Sequence, residues 1–271
     1  MSNATMPVPP PRPARCPPPA RGAGLVIPSR FRGPSRSGNG GYVCGRIAAY
    51  ADGPVTVTLR RPPPLATPMA VEPGDEGALR IHDGPTLVAE ATCSADPPAL
   101  EIPGPISLAE ARMATGRARY FRDPVFPECF VCGISRRAGD GLRIFPGPVP
   151  GRALWAAPWM PDSSVAGRDG RVRPEVAWAA LDCPSGIAAA EDAGLSPDTA
   201  IVLGRMTASL AVLPVPGDQC RVIAWPGGRD GRKLTSGSAL LGPGGEVLAV
   251  ARVTWITVPR PVPALATGGT S

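Results

Sequence analysis

A chain of 271 residues with 43% hydrophobic content has room for one large domain or two modules of roughly 100 to 150 residues. Its 33 glycines and 38 prolines favour short elements and many turns over long bundled helices. The net charge of +6 is almost all arginine, with Lys233 the single lysine, and no basic run interleaved with aromatics stands ready to stack bases, which argues against nucleic-acid binding and for a diffuse solvated charge.

Seven cysteines, at 16, 44, 93, 129, 132, 183 and 220, make an odd count, which argues against a secreted disulfide framework. The opening MSNATMPVPPPRPARCPPPA has no apolar core of the kind a signal peptide carries. No apolar run approaches the roughly 18 to 20 residues that span a bilayer. The expectation is a cytoplasmic protein without a membrane span.

In chain order, residues 1–28 are rich in proline and arginine and read as a disordered tail, because proline removes backbone donors and fixes φ. A helical stretch follows from about Asn39 to Ala51, then a strand over Val55–Leu59, where valine and threonine alternate. Pro62-Pro63-Pro64 ends regular pairing. LRIHDGPTLVAEATC reads as strand, turn at Asp83-Gly84, and strand.

A second, longer series begins with a strand over 153–159. Pro174 opens a helix, at a position where its missing N–H does no harm; Pro184 is expected to end or kink the first part, and Gly194 closes the second. Strands are expected at 201–213, 220–225, 233–241 and 246–258. Both series run helix, strands and a closing hairpin: Asp83-Gly84 before Leu87-Val88-Ala89, and Gly244-Gly245 before Val247-Leu248-Ala249. The predicted class is α+β, with each antiparallel sheet burying its apolar face on a helix.

Three local motifs carry a resemblance. Cys129-Phe130-Val131-Cys132-Gly133, with Gly141-Leu142-Arg143-Ile144-Phe145 after it, resembles the opening of phenylacetyl-CoA-thioesterase-like hotdog proteins. Asn39-Gly40-Gly41 resembles their His-Gly-Gly element at the start of the central helix, and Asp182 resembles their helical acid. Asp230-Gly231-Arg232-Lys233 before the Gly244-Gly245 hairpin is similar to their closing strands. The resemblance, over roughly residues 30–258, implies two fused hotdog modules, antiparallel sheets each wrapped around a central helix. The division would be 1–28 tail, 29–118 a truncated N-terminal module, 119–259 a C-terminal module and 260–271 tail.

The two helices depart from that pattern in complementary ways. Ala48 stands where the first helix would carry the acid, and Arg173 where the second would carry the histidine. Related hotdog thioesterases build each site across a dimer, so a fused pair with one element on each helix implies one composite site. The implied activity is hydrolysis of acyl-CoA or another acyl thioester, with a non-catalytic acyl-ligand binder as the alternative. Association of fused pairs into a homo-oligomer stays open.

In that site Asp182 would be general base or nucleophile, its pKa raised by burial; the competing reading is a buried ion pair with one of the many arginines. Gly41, at a helix N-terminus, would polarise the thioester carbonyl through its N–H, with Gly40 allowing close approach. Asn39 would orient substrate or water, or else serve only as N-cap. Glu175, Ser185 and Thr207 complete the candidate substrate contacts, although Glu175 has a sufficient account as a carboxylate in a first helical turn.

Cys129-x-x-Cys132 lacks a second pair, and His82 is the sole histidine, so a four-ligand zinc site is hard to assemble and a tight structural turn is expected. Cys183 reads as core. No metal and no cofactor is therefore expected. The missing helical histidine disfavours dehydratase chemistry, and Gln219, the sole glutamine, does not match the glutamine of the acyl-CoA thioesterase II group. A scaffold role for the proline-rich tail is a lesser reading.

Overall fold

Val55 and Val57 are fully buried while the threonines between them are half-buried, the alternation that a strand packed on one face produces. That strand sits near the middle of one antiparallel sheet of eleven strands. The computed structural model of the chain describes residues 16–17, 19–20, 22–93 and 98–261.

In the first part of the chain the strands are β1 (Gly24–Leu25), β2 (Val55–Leu59), β3 (Met69–Pro73), β4 (Leu79–Asp83) and β5 (Thr86–Cys93). The second part supplies β6 (Gly147–Pro148), β7 (Trp155–Trp159), β8 (Thr199–Leu210), β9 (Cys220–Asp230), β10 (Lys233–Leu241) and β11 (Val247–Pro259). Their order across the sheet is β1-β3-β4-β5-β2-β8-β11-β10-β9-β7-β6. The two groups meet at β2 and β8, where Thr56 pairs with Thr207 and Val57 with Met206. Among the described residues three α-helices accompany the sheet: α1 (Gly40–Ala48), α2 (Leu108–Thr115) and α3 (Pro174–Asp192).

Helix α3 packs along β8 to β11, and α1 lies against α3, β2 and β8. The α1–α3 crossing is set by two glycines one turn apart. A methyl group on Gly41 would fall 2.5 Å from Asp182 Cβ, and one on Gly45 would fall 2.5 Å from Glu175 Cα. Both separations are far inside van der Waals contact, so the absence of a side chain is what lets the helices touch.

Several expected elements shift. Helix α3 runs unbroken through Pro184, whereas proline was expected to interrupt it. Hydroxyls supply hydrogen bonds on the turn before the proline: Ser238 Oγ donates to the Leu181 carbonyl and Ser185 Oγ to that of Asp182, each at 2.7 Å. Burial of α3 on the sheet overrides the local cost. Strand β9 continues past Pro226, with a register shift against β10 that leaves Gly227 unpaired, a bulge that admits a proline within a strand.

Helix α2 was not anticipated, although Ser107 and Glu110 form a complete capping box. It packs against β6, β7 and β9, at the far end of the sheet from β1. Residues 1–15 of the span expected as an N-terminal tail, and 262–271 of the expected C-terminal one, lie outside the described residues, and two features fall within the described part of 1–28. Strand β1 pairs with β3, with Leu25 and Ile27 wholly buried, and Cys16 forms a disulfide with Cys93, 77 residues away. Such a distant pair was invisible to a count of cysteines. Among the described residues no helix is long and apolar enough to cross a membrane.

The helix crossing gives a test. Glycine to alanine in a helix normally gains up to about 1 kcal/mol, but overpacking a buried contact costs about 1–3 kcal/mol. At Gly45 the added methyl meets backbone, which cannot swing aside. Gly45→Ala should therefore lower the urea midpoint, and an unchanged or raised midpoint would refute the close crossing.

Candidate active-site cleft

Asn39 caps α1 by accepting the Tyr42 N–H on its side-chain oxygen at 2.9 Å. That leaves its amide nitrogen free to turn across the helix crossing, where it donates to Asp182 Oδ2 at 2.8 Å. The Gly41 N–H, in the first turn of α1 where no intrahelical acceptor exists, donates to the same oxygen at 2.8 Å. Asp182 and Asn39 are each 2% exposed, so both hydrogen bonds lie in low-dielectric surroundings.

The other carboxylate oxygen, Asp182 Oδ1, is buried and has no hydrogen-bond partner among the described residues. Burial pushes the acid up to about 7, against the opposing effect of the Gly41 and Asn39 hydrogen bonds. The competing reading of a buried ion pair with arginine does not hold, since the partners of Asp182 are an amide and a backbone N–H.

Asp182 lies on the wall of a cavity of about 1140 Å³. Phe126, Trp155, Ile187, Leu203 and Trp255 give it apolar walls. Arg36, Arg61, Arg119 and Arg122 line it as well, all solvent-exposed.

The loop carrying Cys129 and Cys132 closes over α1. Phe130 donates its N–H to the Arg32 carbonyl at 2.7 Å, and its ring packs edge-on against Phe31, which stacks on Tyr42 of α1 at 3.9 Å. This places Cys129, Cys132 and Cys183 with their sulfurs all within 4.8 Å of one another, along the same cavity. Asn39 Nδ2 lies 3.6 Å from Cys183 Sγ and 3.9 Å from Cys129 Sγ. Hydrogen bonds from Cys132 and Cys183 hold the Cys129 thiol well below its usual range, and sharing with Cys129 pushes the other two up.

No protein-family model and no curated protein matches the chain. Among solved structures, a tesB protein of Mycobacterium avium subspecies paratuberculosis superposes with a TM-score of 0.56 at 14% identity, covering 87% of this chain and 92% of its own. The chain has the hotdog fold. Shorter hotdog structures also align: a Haemophilus influenzae thioesterase (TM-score 0.41, 16% identity, 48% of this chain and 87% of that one) and the Escherichia coli PaaI protein of the phenylacetic acid degradation operon (0.36, 9%, 40% and 75%).

Of the candidate residues read from the sequence, the hotdog crossing brings Asp182, Asn39 and Gly41 together, and Gly40 lines the cleft beside them. The Gly41 N–H is directed at Asp182. Glu175, Ser185 and Thr207 are not among the cavity-lining residues. Glu175 stands 3.8 Å from Arg173 at the start of α3, Ser185 accepts the Trp255 indole N–H at 3.1 Å, and Thr207 meets Thr56 at 2.7 Å across the β2–β8 seam. Cys183, expected in the core, lines the cleft, because α3 turns it to the same side as Asp182.

Asn39 has two separable tasks here. Asn39→Ala removes the cap, worth about 1 kcal/mol, and a hydrogen bond to a buried acid, worth about 2 kcal/mol. Asn39→Ser keeps a capping oxygen and removes only the second. Chemical denaturation should rank wild type above Asn39→Ser and Asn39→Ser above Asn39→Ala, and equal midpoints for all three would dismiss both bonds.

Proposed function

We propose that the chain is an acyl-thioester hydrolase, built from two fused hotdog modules that share one composite site at the α1–α3 crossing. The observation that carries the reading is the position of Asp182 on the wall of a large cavity, with its buried Oδ1 left unpartnered. A buried carboxylate oxygen without a donor is costly, and a water or substrate group in the cleft would relieve it. The two helical elements come from opposite halves of the sequence, as the complementary departures of Asn39-Gly40-Gly41 and Asp182 require.

In this reading Asn39 and Gly41 fix the carboxylate through Oδ2 and leave Oδ1 to act. Asp182 takes a proton from water, whose oxygen attacks the thioester carbonyl carbon. The carbon–sulfur bond then breaks, and the proton passes to the departing thiolate. The products are a carboxylic acid and a free thiol. The Gly40 N–H, at the first position of α1, polarises the carbonyl, since first-turn amides lack helical partners and the dipole favours developing negative charge.

The apolar walls suit an acyl chain, and the arginines suit a carrier bearing phosphates, which favours acyl-CoA among acyl thioesters. The arginines act from solvent, so their contribution is to attraction and orientation and is sensitive to salt.

Asp182→Asn is the discriminating variant, because an amide oxygen still accepts from Asn39 and Gly41 while the base is gone. Thiol release from a series of acyl-CoA substrates should fall about 100-fold or more in kcat, with KM little changed. Wild-type rates in the variant would remove Asp182 from the chemistry. Thermal stabilisation by acyl-CoA with no thiol released by the wild type would identify a binding protein instead.

A further inference from the structure

We propose that Cys129, Cys132 and Cys183 form a zinc site, three thiolates holding the ion with its fourth coordination position open to the cleft.

Three reduced thiols converge at one point of the cavity wall, with sulfurs within 4.8 Å of one another and Cys129 Sγ 3.5 Å from Cys183 Sγ. Zinc bound tetrahedrally at about 2.3 Å from sulfur separates its ligands by about 3.8 Å. The cluster therefore matches the ion with movements of a fraction of an ångström to one ångström.

The backbone is arranged for the same purpose. The two-residue spacing of Cys129 and Cys132 is that of a metal-binding turn. The turn is tight: Gly133 donates its N–H to the Cys129 carbonyl at 2.9 Å, and a methyl on Gly133 would fall 2.4 Å from that carbonyl oxygen. The Asn39 amide approaches Cys183 Sγ at 3.6 Å and Cys129 Sγ at 3.9 Å. Donors aimed at ligating sulfurs are the usual outer support of a thiolate site.

The donor set selects the ion. Sulfur alone excludes magnesium and calcium, which require oxygen. Three protein ligands with an accessible fourth position is the pattern zinc adopts where it also meets a ligand from solvent. All three cysteines line the cleft, so a water, or a thiol entering the cleft, completes the tetrahedron. Each thiol that coordinates releases its proton to solvent. The site is independent of the hydrolase reading, and metal content tests it without any measurement of turnover.

The experiment uses the full chain, purified under reducing conditions without chelator. Elemental analysis should find about one zinc per chain, and cobalt substitution should give intense sulfur-to-metal charge-transfer absorption. Cys132→Ser should weaken zinc binding at least tenfold, while Cys44→Ser, which removes a different buried cysteine on α1, should leave it unchanged. Should a serine variant fail to fold, the native chain provides the second readout: added zinc should protect Cys129, Cys132 and Cys183 from an alkylating reagent, mapped by mass spectrometry. A cobalt form without charge transfer, alkylation indifferent to zinc, or a Cys129–Cys183 disulfide that persists in reductant would each overturn the proposal.

Discussion

The carboxylate of Asp182 accepts two hydrogen bonds from the first turn of α1, one from the Asn39 side chain and one from the Gly41 backbone. For this to happen two helices from distant parts of the chain must cross at backbone contact, which Gly41 and Gly45 permit. The crossing in turn requires both helices to lie on one continuous sheet, joined where β2 meets β8. Remove the close approach and the acid loses both donors while still buried, a state that costs several kcal/mol. The site and the architecture are therefore stabilised by the same contact.

That contact also organises the surroundings of the cleft. Tyr42, one residue beyond Gly41, stacks on Phe31, and both rings meet Phe130 from the cysteine loop. Arg32 pairs with Glu128 at 3.1 Å before the cysteines, and Arg136 donates to the Arg30 carbonyl at 2.9 Å after them, so the loop is tied down at both ends. A loop held this way has little freedom to carry its cysteines elsewhere. The acid, the capping amide and the three sulfurs form one polar wall of the cavity, beside the apolar walls given by Phe126, Trp155, Ile187, Leu203 and Trp255.

Local signals were legible where one residue type has one physical use. Alternating valines gave β2, Pro174 marked the start of α3, and Asp83-Gly84 and Gly244-Gly245 marked hairpins that the structure forms. They failed where tertiary burial outweighs local preference. Pro184 sits inside a continuous helix because burial of α3 on the sheet outweighs the lost helical hydrogen bond, and Pro226 sits inside a strand because a bulge absorbs Gly227. Helix α2 was overlooked although its capping box stood in the sequence.

The sequence by itself determined the α+β pattern and the succession of the main strands along the chain, because periodicity, turn chemistry and helix-start residues act over a few neighbouring positions, whereas the pairing of a glycine element with a distant acid was implied by the resemblance alone. Only the tertiary structure decided that Asn39 and Gly41 point at Asp182, that Glu175, Ser185 and Thr207 stand apart from the cleft, that Cys16 reaches Cys93, and that Cys183 joins Cys129 and Cys132. Each depends on the approach of segments far apart in the chain, which no local pattern encodes.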